Sequence, residues 1–204
     1  MTRRRVAEAV AVSCLSVLVL LSIGARADAV TAPDSIDHEE VKRRYFTDLP
    51  LVTQDAEEVR FYSDLLKDKV VVINFIFTNC PGVCPLHSAK LAELQQRLGG
   101  LMEEKVRFIS ISVDPERDTP QRLKKFAKRF NAGSGWTFLT GDKRNLDVVT
   151  KKLGQYNVQV EAHSPIFIMG NVRTADWVKM KPTASAKALA AEVERLLAAD
   201  VRGN

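Results

Sequence analysis

Three cysteines and three histidines are all that this 204-residue chain contains. So few thiols exclude a disulfide-dense scaffold, and so few imidazoles exclude a histidine-rich metal store. Glycine (10) and proline (8) are too sparse for a collagenous or low-complexity chain. The chain has no internal repeat, which removes solenoids and propellers. Its length suits one core of ordinary size and excludes a large multidomain machine.

One sign of charge is nearly balanced by the other once position is considered. The formal charge is +5, but four arginines (Arg3, Arg4, Arg5, Arg26) and only Glu8 fall in the first 27 residues, leaving +2 for the rest. The remaining lysines and arginines mix with acids along helix-like stretches, as on a solvated surface. No nucleic-acid partner is expected.

The first 27 residues have the layout of an export signal: an arginine-rich start, an apolar run from Ala9 to Ile23, and Ala25-Arg26-Ala27 as a small-x-small end. Removal after Ala27 is expected. Residues 6–25 form a longer apolar stretch that includes Glu8, so a retained membrane anchor is the alternative. Either outcome places the chain outside the cytoplasm, in a periplasm or on the outer face of the membrane. Residues 28–44 are polar and read as a tether, and residues 45–200 read as the folded domain.

Within that domain, Val70–Phe77 is a nearly continuous β-branched and aromatic run, the pattern of a strand buried on both faces. A turn holding Cys80-Pro81-Gly82-Val83-Cys84-Pro85 follows, then Leu86, Leu91, Leu94 and Leu98 at helical spacing. Val106–Val113 predicts a second strand, and Thr119-Pro120 predicts the cap and first position of a helix. A strand at Trp136–Thr140, a helix at 145–153, strands at Pro165–Met169 and Trp177–Met180 joined through Gly170-Asn171, and a helix capped by Ser185 complete the domain. Tyr45–Leu66 adds an N-terminal hairpin around Thr53-Gln54-Asp55. The order predicts an α/β fold: a mixed, mainly parallel sheet with helices on both faces.

In such sheets functional groups gather beyond the carboxyl ends of the parallel strands. Cys80 is three residues past Phe77, and the following helix N-terminus favours a thiolate there. Four positions apart on a first helical turn, Cys80 and Cys84 have Cα atoms about 6 Å apart, which suits a redox pair or two soft ligands for one metal ion. A purely structural disulfide is a weaker reading, because so short a loop gains little from closure. Cys14 lies in the apolar N-terminal run and joins neither role.

His163 stands 79 positions after Cys84. If the strand at Pro165–Met169 runs antiparallel to Val70–Phe77, it begins at the edge where the cysteine turn lies, and His163 falls beside it. Two thiolates and an imidazole suit Cu(I) or Cu(II) better than zinc, which usually takes a fourth protein ligand. His87, three residues after Cys84 and on its helical face, could add to the site but reads rather as an exposed surface residue; His38 reads as an exposed part of the tether, with transient metal contact as the lesser alternative. Met169 reads as core packing; Met102 and Met180 offer further soft donors.

These residues resemble the Sco/SenC family of copper-binding, thioredoxin-fold proteins of cytochrome c oxidase assembly. The resemblance runs from about Asp64 to Leu197. It is carried by Asp64-Leu65, Asn74-Phe75, Cys80-Pro81-x-Val83-Cys84-Pro85, the string Ser112-Val113-Asp114-Pro115-Glu116-Arg117-Asp118-Thr119-Pro120, Leu139-Thr140-Gly141 and His163-Ser164. It implies a thioredoxin-like domain that binds copper through Cys80, Cys84 and His163. It also implies that the chain delivers copper to, or reduces the cysteines of, the binuclear copper site of oxidase subunit II. Another exported copper protein is an alternative acceptor, and a thioredoxin-like reductant is a further expected partner.

The sequence departs from the family pattern at Gly82, where an acidic residue is frequent, and at Ala162, where an Asp precedes the histidine. From the residues alone, a metal-free thiol-disulfide oxidoreductase and a redox or copper sensor remain open. A peroxidase would need a threonine and an arginine at one cysteine, for which Thr78 and Arg173 are available.

Overall fold

A computed structural model of the chain describes residues 37–155 and 165–202. Seven strands form one mixed sheet in the order β2-β1-β5-β4-β3-β6-β7. β3 (Val70–Ile76), β4 (Val106–Ser112) and β5 (Trp136–Thr140) are parallel, and every residue of β3 is buried, as its apolar run, interrupted only by Asn74, leads one to expect. β1 (Pro50–Thr53) and β2 (Glu58–Arg60) form an antiparallel hairpin that joins the sheet through β5. On the other side β6 (Phe167–Asn171) runs antiparallel to β3, and β7 (Asp176–Met180) to β6.

Helices cover both faces. Alternation along β3 sends Val70, Val72 and Ile76 to one face, against Leu91, Leu94 and Leu98 of α2 (Val83–Leu98), Leu123 and Phe126 of α3 (Pro120–Lys128), and Leu189, Val193 and Leu196 of α5 (Ala186–Arg202). Val71, Ile73 and Phe75 face the second core, with Phe46 of α1 (His38–Phe46), Leu146 and Val149 of α4 (Lys143–Lys152), and a π-helical turn over Phe61–Leu66. This is the thioredoxin-like α/β arrangement that the resemblance implies. Thr119 caps α3, accepting from the Arg122 amide at 3.4 Å, and Ser185 caps α5, accepting from the Ala188 amide at 3.2 Å.

The structure differs from the sequence expectations in three places. α1 takes up His38–Arg44, which composition alone assigned to the tether. Asp37 caps it by accepting from the amides of Glu39 and Glu40, Phe46 buries against the second core, and the Tyr62 hydroxyl donates to Glu39 at 3.0 Å. His38 itself is exposed, as expected. Gly170 and Asn171 do not form the turn between β6 and β7. They belong to β6, and the turn is 172–175. Gly170 lies opposite Trp177, and a Cβ on it would meet the indole at 2.3 Å, so glycine is required by close approach. His87, finally, is buried rather than exposed: it is only 3% accessible, with its ring 4.7 Å from that of Phe167.

Met169 is core, as predicted, while Met102 and Met180 pack partly buried against the same cluster. No helix among the described residues is long and apolar enough to cross a membrane. Cys14 and the stretch over residues 6–25 lie outside the described residues.

Candidate metal and redox centre

Cys80 and Cys84 stand at the carboxyl end of β3, where the strand turns into α2. The turn is drawn tight by the Cys80 amide donating to the Phe77 carbonyl at 3.1 Å. Gly82 is the cap of α2 and has no side chain to satisfy the first amides of the helix. The sulfur of Cys80 takes that role, accepting from the Cys84 amide at 3.4 Å. Pro85, two positions beyond the first helical residue, presents no N–H, so the donors at this end are concentrated on the sulfur.

The two thiols are free and differ sharply in environment. Cys80 is partly exposed. Burial pushes its pKa up, but donation from the Cys84 thiol and from the backbone amides of Cys84, Gly82 and Val83 outweighs this and brings it below its ordinary value. Cys84 is 1% accessible. Burial foremost, and its hydrogen bond with Cys80, push its pKa up to about 12. One thiol is eased toward ionisation and the other is held protonated.

The Asp-Pro-Glu-Arg-Asp-Thr-Pro string lies beyond the carboxyl end of β4, the parallel neighbour of β3, and supports the cysteine turn. Asp118 is 1% accessible. It accepts from the Thr78 amide at 3.1 Å, from the Thr78 hydroxyl at 2.5 Å and from the Ser112 hydroxyl at 2.6 Å. One carboxylate therefore joins β3, β4 and the start of the cysteine turn. Asp114 closes the loop through its carbonyl, which accepts from the amides of Arg117 and Asp118. Burial, then the nearby Asp118, raises the Asp114 carboxyl above its ordinary value. On the outside, the Arg122 guanidinium donates to Asn79 Oδ1 at 2.7 Å, one residue before Cys80. The sequence marks this string as distinctive but does not say which of its acids is buried, so the bracing role of Asp118 was not legible.

His163 lies outside the described residues. The strand pairing around it does follow the sequence expectation: β6 is antiparallel to β3 with Ile73 opposite Ile168, so β6 begins at the sheet edge where β3 ends. Among the described residues no group of three or more His, Cys, Asp or Glu side chains is placed to hold a metal ion. Arg173 sits at the opposite end of the sheet from the cysteines, after Asn171, which pairs with Val70, and is bound to Asp200 at 3.1 Å. Thr78 is engaged by Asp118. The peroxidase grouping is not assembled.

Two unequal thiols at the carboxyl end of a parallel strand of a thioredoxin-like sheet are an arrangement suited to redox or soft-metal chemistry. The sequence pattern of the SCO1/SenC family matches residues 39–198, and the chain belongs to that family. It is 45% identical over 89 residues to the SCO1 protein homolog of Bacillus subtilis, a match covering 43% of this chain and 45% of the relative. The chain spans about half the length of the curated relatives it matches. Among solved structures it is similar to Arabidopsis thaliana ScoI with copper bound, with a TM-score of 0.64 and 25% identity over 75% of this chain and 98% of that one. It is also similar to BsSco, a protein with a disulfide switch from the Sco family of cytochrome c oxidase assembly proteins. That match has a TM-score of 0.63 and 28% identity over 74% of this chain and 92% of the other.

Proposed function

We propose that this chain is an exported copper metallochaperone that holds copper through Cys80, Cys84 and His163. Its acceptor is the binuclear copper site of a cytochrome c oxidase, on subunit II, or another exported copper protein. The observation that carries the reading is the pair of adjacent sulfurs at the N-terminus of α2, one activated by backbone amides and one buried and protonated. Sulfur donors select a soft ion, and the Arabidopsis thaliana ScoI structure has copper bound. Cys80 offers the first bond. Cys84 must lose its proton as the ion is taken up, so loading releases a proton and strengthens as pH rises. His163 is two residues before Pro165 in the sequence, within about 7 Å of chain reach from it, and the β6 strand that follows runs antiparallel to β3, which supports the reading.

The leading segment of residues 1–27 supports export, to a periplasm or to the outer face of the membrane, with residues 6–25 as the candidate anchor. The test is titration of the reduced chain with Cu(I). Stoichiometric uptake that is lost in Cys80→Ser, Cys84→Ser and His163→Ala is expected; uptake unchanged by all three discards the reading.

The unequal thiols also suit a second reading, thiol-disulfide exchange with cysteines of a partner, re-reduced by a thioredoxin-like protein. Cys80 would attack a partner disulfide, Cys84 would resolve the mixed disulfide, and two electrons and two protons would pass to the partner. Turnover on a disulfide substrate that is indifferent to copper and to His163→Ala would favour it.

A further inference from the structure

The outer surface of α3 carries Arg122, Lys124, Lys125 and Lys128, followed by Arg129, with no acidic residue among them. Lys124 is paired with Asp55 at 2.8 Å on the side of the β1–β2 hairpin. Arg122, Lys125 and Arg129 instead line a concave groove of about 470 Å³ together with Thr78, Asn79 and Phe126. All three are exposed, and none has an ion pair among the described residues. Arg122 is fixed by its bond to Asn79, and the Arg129 guanidinium lies over the Phe126 and Phe130 rings at 5.5 and 5.7 Å. Two of the three cations are therefore held in place rather than free to sweep through solvent. Glu116 and Arg117, in the preceding loop, are also exposed.

The groove wall includes Asn79, and the next residue is Cys80. A segment bound along α3 would thus be carried to the partly exposed sulfur. We infer that this groove is the docking surface for an acidic, thiol-bearing segment of the partner protein, with its carboxylates on Arg122, Lys125 and Arg129 and its cysteines brought to Cys80. Charge complementarity fixes the sign of the occupant. Shape favours a polypeptide over a lipid surface: the cations border a concavity of side-chain dimensions, whereas a headgroup layer needs cations on a projecting face. The inference extends the copper-transfer reading by naming how the acceptor is oriented, and it rests on that reading for its purpose but not for its test.

The test uses the full reduced chain and short synthetic peptides that carry two cysteines among glutamates, serines or lysines. Fluorescence anisotropy without metal measures docking, and Cu(I) titration of the same protein samples measures loading separately. The glutamate peptide is expected to bind about tenfold tighter than the serine peptide at low ionic strength, with the preference fading near 1 M salt, where the Debye length falls to about 3 Å. Lys125→Glu/Arg129→Glu is expected to abolish the preference while leaving Cu(I) stoichiometry unchanged and lowering the melting temperature by no more than a few degrees, through loss of the Arg129 ring contact and of two cations at the end of α3.

Three results overturn the inference: no preference in the wild type, a preference that survives in the double variant, or an equal loss of binding for the serine peptide. Retention on vesicles of anionic phosphatidylglycerol through Lys125 and Arg129, without any peptide preference, assigns the groove to lipid and also overturns it. Failure of the wild type to take up Cu(I) sinks the copper reading instead, and the anisotropy result still decides the groove.

Discussion

The Cys84 amide donates to the sulfur of Cys80 at 3.4 Å, and the same residue's thiol is buried beneath it. This relationship makes the residue at position 84 both an activator of Cys80 and a silent thiol. Iodoacetamide is therefore expected to modify Cys80 and spare Cys84 through the neutral range and below pH 9, with a rate profile at Cys80 centred below the ordinary thiol value. Equal labelling of Cys80 and Cys84, read by mass spectrometry, would contradict the arrangement.

The same asymmetry sets the alkaline stability of the reduced chain. Cys84 keeps its proton when folded, up to about 12, so its contribution is intact below the unfolded value near 9 and is lost as pH rises from there toward 12. Cys80 acts in the opposite sense, adding stability as pH rises through its lowered value to the ordinary one. Above pH 9 the Cys84 effect dominates and amounts to roughly 4 kcal/mol by pH 12. Urea unfolding of the reduced chain at pH 8 and pH 10.5 is expected to show falling stability, with a shallower fall in Cys84→Ser.

Asp118 is the residue on which the cysteine turn rests. Asp118→Ala leaves the Thr78 amide and the hydroxyls of Thr78 and Ser112 without their acceptor, at a cost of about 2–4 kcal/mol. For a domain of this size that lowers the melting temperature by about 5–15 °C. Because the turn would loosen, the pH profile of Cys80 alkylation is expected to move toward the ordinary thiol value. A destabilised variant with an unshifted profile would confine Asp118 to a packing role.

Much of this was legible because the deciding forces are local. β3 announces itself by an apolar run that only Asn74 interrupts, and α3 by Thr119-Pro120 at its start. What escaped the sequence depends on long-range contact. A histidine on α2 is polar by type, and only the approach of Phe167 from β6 makes His87 a buried residue. Residues His38–Arg44 are charged enough to pass for a tether until Phe46 and Tyr62 give their helix something to rest on. Gly170-Asn171 has turn composition, yet Trp177 across the ladder explains the glycine, and Asn171 is used inward, its side-chain amide donating to the Leu196 carbonyl of α5 at 3.3 Å.

The last case gives a direct experiment. Gly170→Ala forces a methyl group into the Trp177 indole, which must tilt or push β7 outward. Overpacking of this kind costs about 1–3 kcal/mol. The expected result is a lower urea midpoint with an unchanged slope and a shifted tryptophan emission, whereas an unaltered midpoint would mean that β7 yields freely.

Gly82 allows the balance between helix stability and thiol reactivity to be separated. Nothing lies within 4 Å of a Cβ built at this position, so Gly82→Glu meets no neighbouring atom. A carboxylate at the cap of α2 meets the positive end of the helix, which stabilises by about 0.3–1 kcal/mol. It also stands two residues from Cys80, where its negative charge opposes the thiolate that the amides favour. The variant is therefore expected to melt slightly higher while its alkylation profile moves to higher pH. A change of both quantities in the same direction, with higher stability and a more reactive Cys80, would mean that the carboxylate orders the amides around the sulfur more than it repels the charge on it.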